Sequence, residues 1–557
     1  MKALNKKWNS IDWKTTRTFV SDLQQKMVVA YKNNNWSEVF RLQQQLMHSF
    51  EGRATAVRKV VSNEGSKTKG PDGKTWKKSQ DKYRAIADIR DHLLTKSGSY
   101  KAGAVRRVWI PKSSPGELRP LGIPNMIDRA LQALVLSCLD PIVEENSDSC
   151  SYGFRKYRST NDAIQRIRFI LDKAGAPRYI WDADISKCFD NISHTFLNKV
   201  VRENLCRKGC ELVEAWLKAP IIEKGSKSYP SRGTPQGGVL SPLLCNMTLN
   251  GLENVIRDGL PSSSSTAGRK LKGRWVVRYA DDFIITNPIG KSQFIDNDIP
   301  LINKFMADRG LEISEKKSRI IDLEKESFNF LGWKISQRKR NISVNKASDS
   351  RLVLVVEPTK ESIKRLKSRI KLEFRSNKPI GALIKDLNPV LRGWANYYRG
   401  SYHSQQSFQS IGHYVYQLFW KWAQKKHSSR NKQWIYDRYI VRTEKSLLAI
   451  GVDKNLLLYD ITQAKQIRVS NLKNNINPYT DNDYFVNRVI LRDADKFRKA
   501  IYKLNKFRCF VCRGSLYGDE PIHLHHLIAR KDGGEYTLKN IVPVHAICHD
   551  SITYAVK

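Results

Sequence analysis

At 557 residues the chain is too long for one hydrophobic core and is expected to divide into roughly three to five units. Its hydrophobic content of 40% and aromatic content of 10% exclude disorder of the whole. Lys and Arg number 97 against 54 Asp and Glu, a formal net charge of +43 spread through the chain. Such an excess repels itself unless a polyanion neutralises it, so nucleic acid on a long wrapped path is the first expected partner. An anionic membrane surface answers to the same charge. No run of 18 apolar residues exists, however, and MKALNKKWNSIDW has no apolar stretch of a signal peptide. The nine cysteines are too few and too irregular for a disulfide framework, which fits a reducing compartment. Cys206 and Cys210 read as buried or incidental thiols on one helix face.

Near the N-terminus Trp36, Val39, Phe40 and Met47 recur at helical spacing, and Asn35 with Glu38 three positions later predicts an N-terminal cap. NEGSKTKGPDGKTW, Asn63 to Trp76, reads as a loop. From about 100 to 340 strand and helix signals mix. WVVRYADDFIIT, Trp275 to Thr286, predicts two strands about a tight turn, with Trp275, Val277 and Tyr279 on one face. Leu301, Ile302 and Phe305 mark a helix. Beyond 340 the chain turns helical and basic. Ile363, Leu366, Ile370 and Phe374 form an apolar stripe, with Lys364, Arg365, Lys367 and Lys371 off it. Tyr397, Tyr398, Trp420, Trp422 and Trp434 interleave with Lys421, Lys425, Lys426, Arg430 and Lys432, a mixture that suits RNA, with core packing the competing use of the rings.

Two acidic stretches stand out: WDADISKCFDNI (Trp181 to Ile192) and the Asp281-Asp282 pair of the predicted hairpin. Adjacent carboxylates raise one another's pKa, and a bound divalent cation reverses that sign. Two Mg²⁺ ions about 3.5–4 Å apart activate a 3′-hydroxyl and stabilise a pyrophosphate leaving group. A solvated Asp-rich turn is the bland alternative. In the tail, C-x-x-C and H-x-x-C-H place Cys509, Cys512, His545 and Cys548 as two close ligand pairs suited to a structural Zn²⁺. A zinc ribbon that only binds nucleic acid is the alternative there.

These blocks resemble the reverse transcriptases. YADD resembles their active-site hairpin and DADISKCFDNI their first palm motif, which implies metal-binding roles for Asp184, Asp281 and Asp282, while Asp182 and Asp190 match no metal position. Phe189 matches the aromatic that crowds a ribose 2′-OH. RRVWIPKSSPGELRPLGIP resembles the fingers, with Lys112 and Arg119 matching triphosphate contacts. SYGFRKYRST, RGTPQGGVLSPLL with Gln236, GLEISEKKS with Lys317, and FNFLGWKI follow in the family's order. SNEGSKTKGPDGKT and LRGWANYYR are similar to the flanking blocks of group II intron-encoded proteins. The tail resembles an HNH, or ββα-metal, nuclease. This implies His526 as general base, Asn540 orienting it, and His525 and His549 holding one catalytic divalent ion. His545 stands where that family commonly has Cys.

The resemblance implies a multidomain α+β protein: a right-hand polymerase with fingers, ferredoxin-like palm and helical thumb, plus a small zinc-bound HNH module. The expected boundaries are an RNA-binding extension at 1–85, fingers and palm at 86–340, and a thumb or maturase region at 341–450. A DNA-binding region at 451–500, placed by position alone, and the endonuclease at 501–557 complete them. Expected partners are group II intron RNA, target double-stranded DNA and dNTPs, with no membrane and the oligomeric state open. The expected activity is RNA-directed DNA synthesis from a nicked target, with help to splicing, in a bacterial cytoplasmic ribonucleoprotein or an organelle. A splicing-only maturase with vestigial sites and a non-intron reverse transcriptase with a defence role are the alternatives.

Overall fold

Four helices open the chain: α1 (Trp13–Lys32), α2 (Trp36–His48), α3 (Phe50–Val61) and α4 (Ser79–Leu94). The computed structural model describes residues 7–554 apart from 97–98, 112–115, 174, 258–272, 340–351, 377, 444–445, 454, 486–487, 489–493 and 517–519. Asp12, Asn35 and Ser49 cap the first three helices by accepting backbone N–H groups, which satisfies donors the helix cannot. The cap at Asn35 is one-sided: its Oδ1 accepts from Glu38 N at 3.1 Å, but Glu38 pairs with Arg41 at 2.6 Å instead of reaching back. These helices pack around α5 (Met126–Glu145), which is buried on most sides.

Strands β1 (Val105–Pro111) and β2 (Leu118–Ile123) form an antiparallel hairpin before α5. Helix α6 (Thr160–Leu171) then leads to β3 (Tyr179–Asp184). The short α7 (Cys188–Asn191), α8 (His194–Asn204) and α9 (Arg207–Leu217) follow. Cys206 caps α9 and its carbonyl accepts from Cys210 N at 3.1 Å, while Cys210 Sγ donates to Leu205 O at 3.1 Å; Cys206 is buried and Cys210 half-buried. Strands β4 (Ile221–Glu223) and β5 (Ser226–Ser228) extend the first hairpin into a sheet of order β2-β1-β4-β5. Helix α10 (Ser241–Leu249) precedes the hairpin β6 (Trp275–Tyr279) and β7 (Asp282–Asn287). Helix α11 (Ile299–Ala307) and β8 (Arg319–Asp322) close the second sheet, order β6-β7-β3-β8, antiparallel throughout.

That second sheet is buried on both faces. Trp181, Ala183, Val276, Phe283 and Ile285 face one core, and Ile180, Val277, Ile284 and Ile321 face another. The second core continues into β9 (Phe328–Phe330), β10 (Trp333–Lys339) and β11 (Leu352–Pro358), then helices α12 (Lys360–Arg375), α13 (Ile380–Tyr398) and α14 (Ser404–Lys426). All five aromatics expected to interleave with cations belong to it. Tyr398 and Trp422 are buried within it, and Tyr397, Trp420 and Trp434 pack against it. Tyr397 and Tyr398 hydroxyls donate to the carbonyls of Leu331 and Gly332 at 2.7 and 3.1 Å, so these rings brace the turn before β10.

A small sheet of β12 (Ile440–Thr443), β13 (Ser446–Asp453) and β14 (Leu456–Leu457) caps the helices. Past it the chain runs across the body in a largely irregular path. Asn477 Nδ2 donates to Pro141 O and Glu145, and Arg488 pairs with Asp162 at 2.6 Å. The tail is a third core under α15 (Lys496–Leu504), the hairpin β15 (Ile522–His526) and β16 (Ile541–His545), and α16 (Ala546–Tyr554). No helix among the described residues is long and apolar enough to cross a membrane.

One buried charge cluster ties α5 to the segment before α6. Glu144, 2% exposed at its side chain, pairs with Arg155 at 2.7 Å and Arg158 at 2.8 Å. Removing the carboxylate strands two guanidinium groups away from water. Glu144→Ala is therefore expected to cost about 3–5 kcal/mol in denaturant unfolding of this body, whereas Glu38→Ala, at the exposed pair with Arg41, leaves the midpoint unchanged.

Candidate active sites

Strand alternation brings the acids together. Asp184 on β3 lies directly opposite Asp282 on β7, and Asp182 opposite Ile284, so Asp182, Asp184 and Asp282 share the face of Ile180 and Ile284 at the open end of the sheet. Asp281 sits beside them in the two-residue turn that joins Tyr179's neighbour strand β7 to β6, where Tyr279 pairs with Asp282. Burial first, then repulsion from Asp182, Asp281 and Asp184, pushes the Asp282 carboxyl up to about 8. Burial also raises Asp281, Asp184 adding to the effect and Arg119 opposing it. Burial carries Asp182 to about 6 against the pull of Arg319, whose Nε lies 3.8 Å away. Oxygen donors that resist ionisation together are a donor set that fits a hard divalent cation.

The turn is held by groups the motif reading did not single out. Ala280 adopts φ +59°, a conformation costly for a residue with a Cβ. Arg278, 1% exposed, donates from Nη1 to Ala280 O and to Asn246 Oδ1, each at 3.1 Å. Gly153 lies so close that a Cβ there would meet Ala280 N at 2.3 Å. Backbone bonds between Tyr152 N and Arg278 O, and between Arg278 N and Cys150 O, lash the SYGFR block to β6. The loop after α11 secures Asp184: its N–H donates to Ser318 Oγ at 3.1 Å and its carbonyl accepts from Ser314 N at 2.8 Å.

Lys317 is within reach of this face, and Phe189 and Gln236 belong to the adjoining α7 and loop. Lys317 Nζ lies 3.8 Å from Asp184 Oδ1. Phe189 meets Phe154 edge-on at 6.2 Å. The RGTPQGG loop lies on α7, with Thr234 N donating to Phe189 O at 2.7 Å and Gln236 Nε2 reaching Asp190 Oδ2 at 3.5 Å. Arg119 is exposed on β2. Lys112 lies outside the described residues.

In the tail, Cys509, Cys512, His545 and Cys548 are all buried, and their donor atoms lie within 4.8 Å of one another. His545 Nε2 meets Ser515 O at 2.8 Å, which assigns its proton there and leaves Nδ1, 3.3 Å from Cys512 Sγ, as the ligand nitrogen. Hydrogen bonds from Cys512 and Cys548 draw the Cys509 thiol far below its ordinary range. Soft, buried, ionisable donors converging this closely fit Zn²⁺.

Beside them His525 on β15 faces His549 on α16, ring centroids 5.1 Å apart. Burial, with the neighbouring His549 and His526, lowers the His525 pKa. His523, two residues back on the same strand face, lies 5.2 Å from His549; strand alternation was the signal for it in the sequence. His526 Nε2 accepts from Arg530 Nε at 3.2 Å. Asn540 does not bond His526. Its Oδ1 accepts from Ile528 N at 2.7 Å, and its Nδ2 donates to Ile528 O and Glu535 O, so it fastens the loop that follows His526.

Family models match along the chain: the N-terminal domain of reverse transcriptase at 8–89, reverse transcriptase (RNA-dependent DNA polymerase) at 110–335, the group II intron maturase-specific domain at 363–440, and HNH endonuclease at 509–554. The group II intron-encoded protein LtrA of Lactococcus lactis subsp. cremoris is 26% identical over 85% of this chain and 87% of its own. The chain belongs to the group II intron-encoded proteins. It is a reverse transcriptase and maturase with an HNH endonuclease domain. Protein YkfC of Escherichia coli is 34% identical over 48% of this chain and 75% of its own length. The putative COX1/OXI3 intron 1 protein of Saccharomyces cerevisiae is 25% identical over 77% of this chain and 59% of its own.

The turn that carries Asp281 depends on the bare Cα at Gly153. Gly153→Ala is expected to displace it and to lower kcat in primer extension about 100-fold, with little change in KM for dNTP, since small misplacements of reacting groups cost this much. Single-turnover extension checks it; an unchanged rate contradicts the packing argument.

Proposed function

We propose that the reverse transcriptase copies its own intron RNA into a DNA target that its HNH module has nicked. The observation that carries this reading is the placement of Asp184 opposite Asp282, with Asp281 in the adjoining turn. In this reading the sheet of β1, β2, β4 and β5 serves as fingers and the sheet of β3 and β6–β8 as palm, together 86–340. Helices α12–α14 serve as thumb and maturase surface within 341–450. Residues 1–85 contact intron RNA, 451–500 contact DNA, and 501–557 cut it.

Asp184, Asp281 and Asp282 hold two Mg²⁺ ions, whose chemistry when bound is to activate the primer 3′-hydroxyl and stabilise the departing pyrophosphate. Arg119, whose charge lowers the Asp281 pKa, takes triphosphate oxygens, and Lys112 is a second triphosphate contact. Phe189, propped by Phe154, closes the ribose side against a 2′-OH, and Gln236 lines the base pocket. Lys317 stands beside Asp184 and steers negative charge to the centre. In the nuclease, His526 accepts a proton from water at its Nε2, and Arg530, already bonded there, moves to the phosphate. His525 and His549 hold the single divalent ion, and the Cys509, Cys512, His545 and Cys548 set holds Zn²⁺ that stabilises a module with a small core. The intron RNA inserts into one DNA strand, the HNH module nicks the other, and the freed 3′-end primes synthesis. The excess of cations offers phosphate contacts along that path.

The two centres are separable by mutation. Asp281→Asn is expected to abolish primer extension while leaving RNA binding intact; wild-type incorporation overturns the polymerase assignment. His526→Ala is expected to slow second-strand nicking by about 10²–10⁴-fold while cDNA synthesis on a pre-nicked primer proceeds normally. Loss of both activities together contradicts independent sites.

A further inference from the structure

The zinc-type cluster of the nuclease module is not surrounded by its own module alone. Arg17 on α1 and Arg58 on α3 reach it from the N-terminal helices. Arg17 Nη1 lies 3.7 Å from Cys512 Sγ and 3.0–3.1 Å from the His545 ring nitrogens. Arg58 Nη2 donates to Cys548 Sγ at 3.5 Å. Both guanidinium groups also grip Glu520: Arg17 Nη2 at 2.9 Å, and Arg58 through Nε at 2.5 Å and Nη2 at 2.8 Å. Arg58 is 2% exposed, lies over the Trp13 ring at 4.5 Å, and leaves Nη1 buried without a hydrogen-bond partner. Trp13 itself packs against the nuclease core. A Cβ at Gly514 would stand 2.7 Å from Arg17 Nη1, so the bare glycine of the knuckle admits the cation.

Charge balance gives this contact a meaning. A Zn²⁺ ion with three thiolates and a neutral imidazole carries one net negative charge, and Glu520 supplies a second. Arg17 and Arg58 then offset them. Without metal the four donors lose the ion that gathers them, and the contacts that hold Arg17 and Arg58 over Cys512 and Cys548 lose their anchor. We propose that the Cys509, Cys512, His545 and Cys548 site is a joint between modules. Metal loading draws Arg17 and Arg58 onto its thiolates and closes the nuclease onto helices α1 and α3; metal loss loosens both. Arg17 and Arg58 are positioning residues, acting on the ligands from outside, as second-layer donors commonly do. Binding linkage makes the coupling reciprocal: docking tightens the metal as much as the metal tightens docking. The inference rests on reading the cluster as a zinc site.

The test uses full-length protein. Zinc content is measured first, then zinc release to a colorimetric chelator, the thiolate-to-metal absorption of the Co²⁺-substituted protein, and hydrogen exchange in Trp13–Lys32 and Phe50–Val61. R17Q and R58Q are each expected to release zinc about 10-fold faster and to shift the Co²⁺–thiolate band, with R58K intermediate. Stripping zinc from wild type is expected to speed exchange in both helices while β3 and β7 stay protected. R17Q alters a partly exposed side chain and carries the test if R58Q does not fold. Wild-type protein without zinc overturns the metal reading and the joint with it. Zinc that is bound but indifferent to R17Q, with exchange in α1 and α3 unchanged on stripping, overturns the joint alone.

Discussion

Carboxylates that repel one another are held in register by an antiparallel strand pair, and the proposed polymerase centre depends on that constraint. Asp184 and Asp282 cannot move apart without breaking the β3–β7 ladder, whose inner residues fill two cores at once. A buried arginine, Arg278, fastens the turn bearing Asp281 from behind. Stability alone disfavours such a cluster: apolar residues here would be easier to bury. Local energetics oppose such a cluster and the surrounding packing enforces it, a conflict that a bound divalent cation would reconcile.

The fold places that centre between two differently built surroundings. On one side the N-terminal helices and α5 form a densely packed body, stapled by Glu144 with Arg155 and Arg158. On the other, β9–β11 and α12–α14 share a core with the outer face of the sheet, and the paired Tyr397 and Tyr398 lock the turn at Leu331 and Gly332. The carboxylates lie where the sheet's second face runs out of apolar cover. The nuclease is a third core with its own metal-type donors, and it leans on the first helices through Trp13, Arg17 and Arg58.

Local patterns in the sequence carried the reactive groups: the hairpin of Trp275 to Thr286, the acidic strand ending at Asp184, and the paired Cys and His of the tail all form as their spacing predicts. Their supports were not legible, because they come from distant positions. Arg278 reads as one more cation in a basic strand, and only folding shows it buried against Asn246 and Ala280. Gly153 matters because the turn passes within a Cβ's radius. Arg17 and Arg58 look like solvated helix charges until they meet Glu520. The aromatics from Tyr397 onward show the use of rings in packing: Tyr398 and Trp422 are buried in the second core, and Tyr397, Trp420 and Trp434 pack against it half-exposed. Asn540 spends its amide on the backbone of the loop after His526, partners that the motif does not name.

The most direct measurement is anomalous diffraction from crystals grown with Mn²⁺, a primer–template and a non-hydrolysable dNTP. Two anomalous peaks about 3.5–4 Å apart, bounded by the carboxylates of Asp184, Asp281 and Asp282, are expected. Manganese bound elsewhere on the chain, with those three side chains turned away from it, would contradict the account.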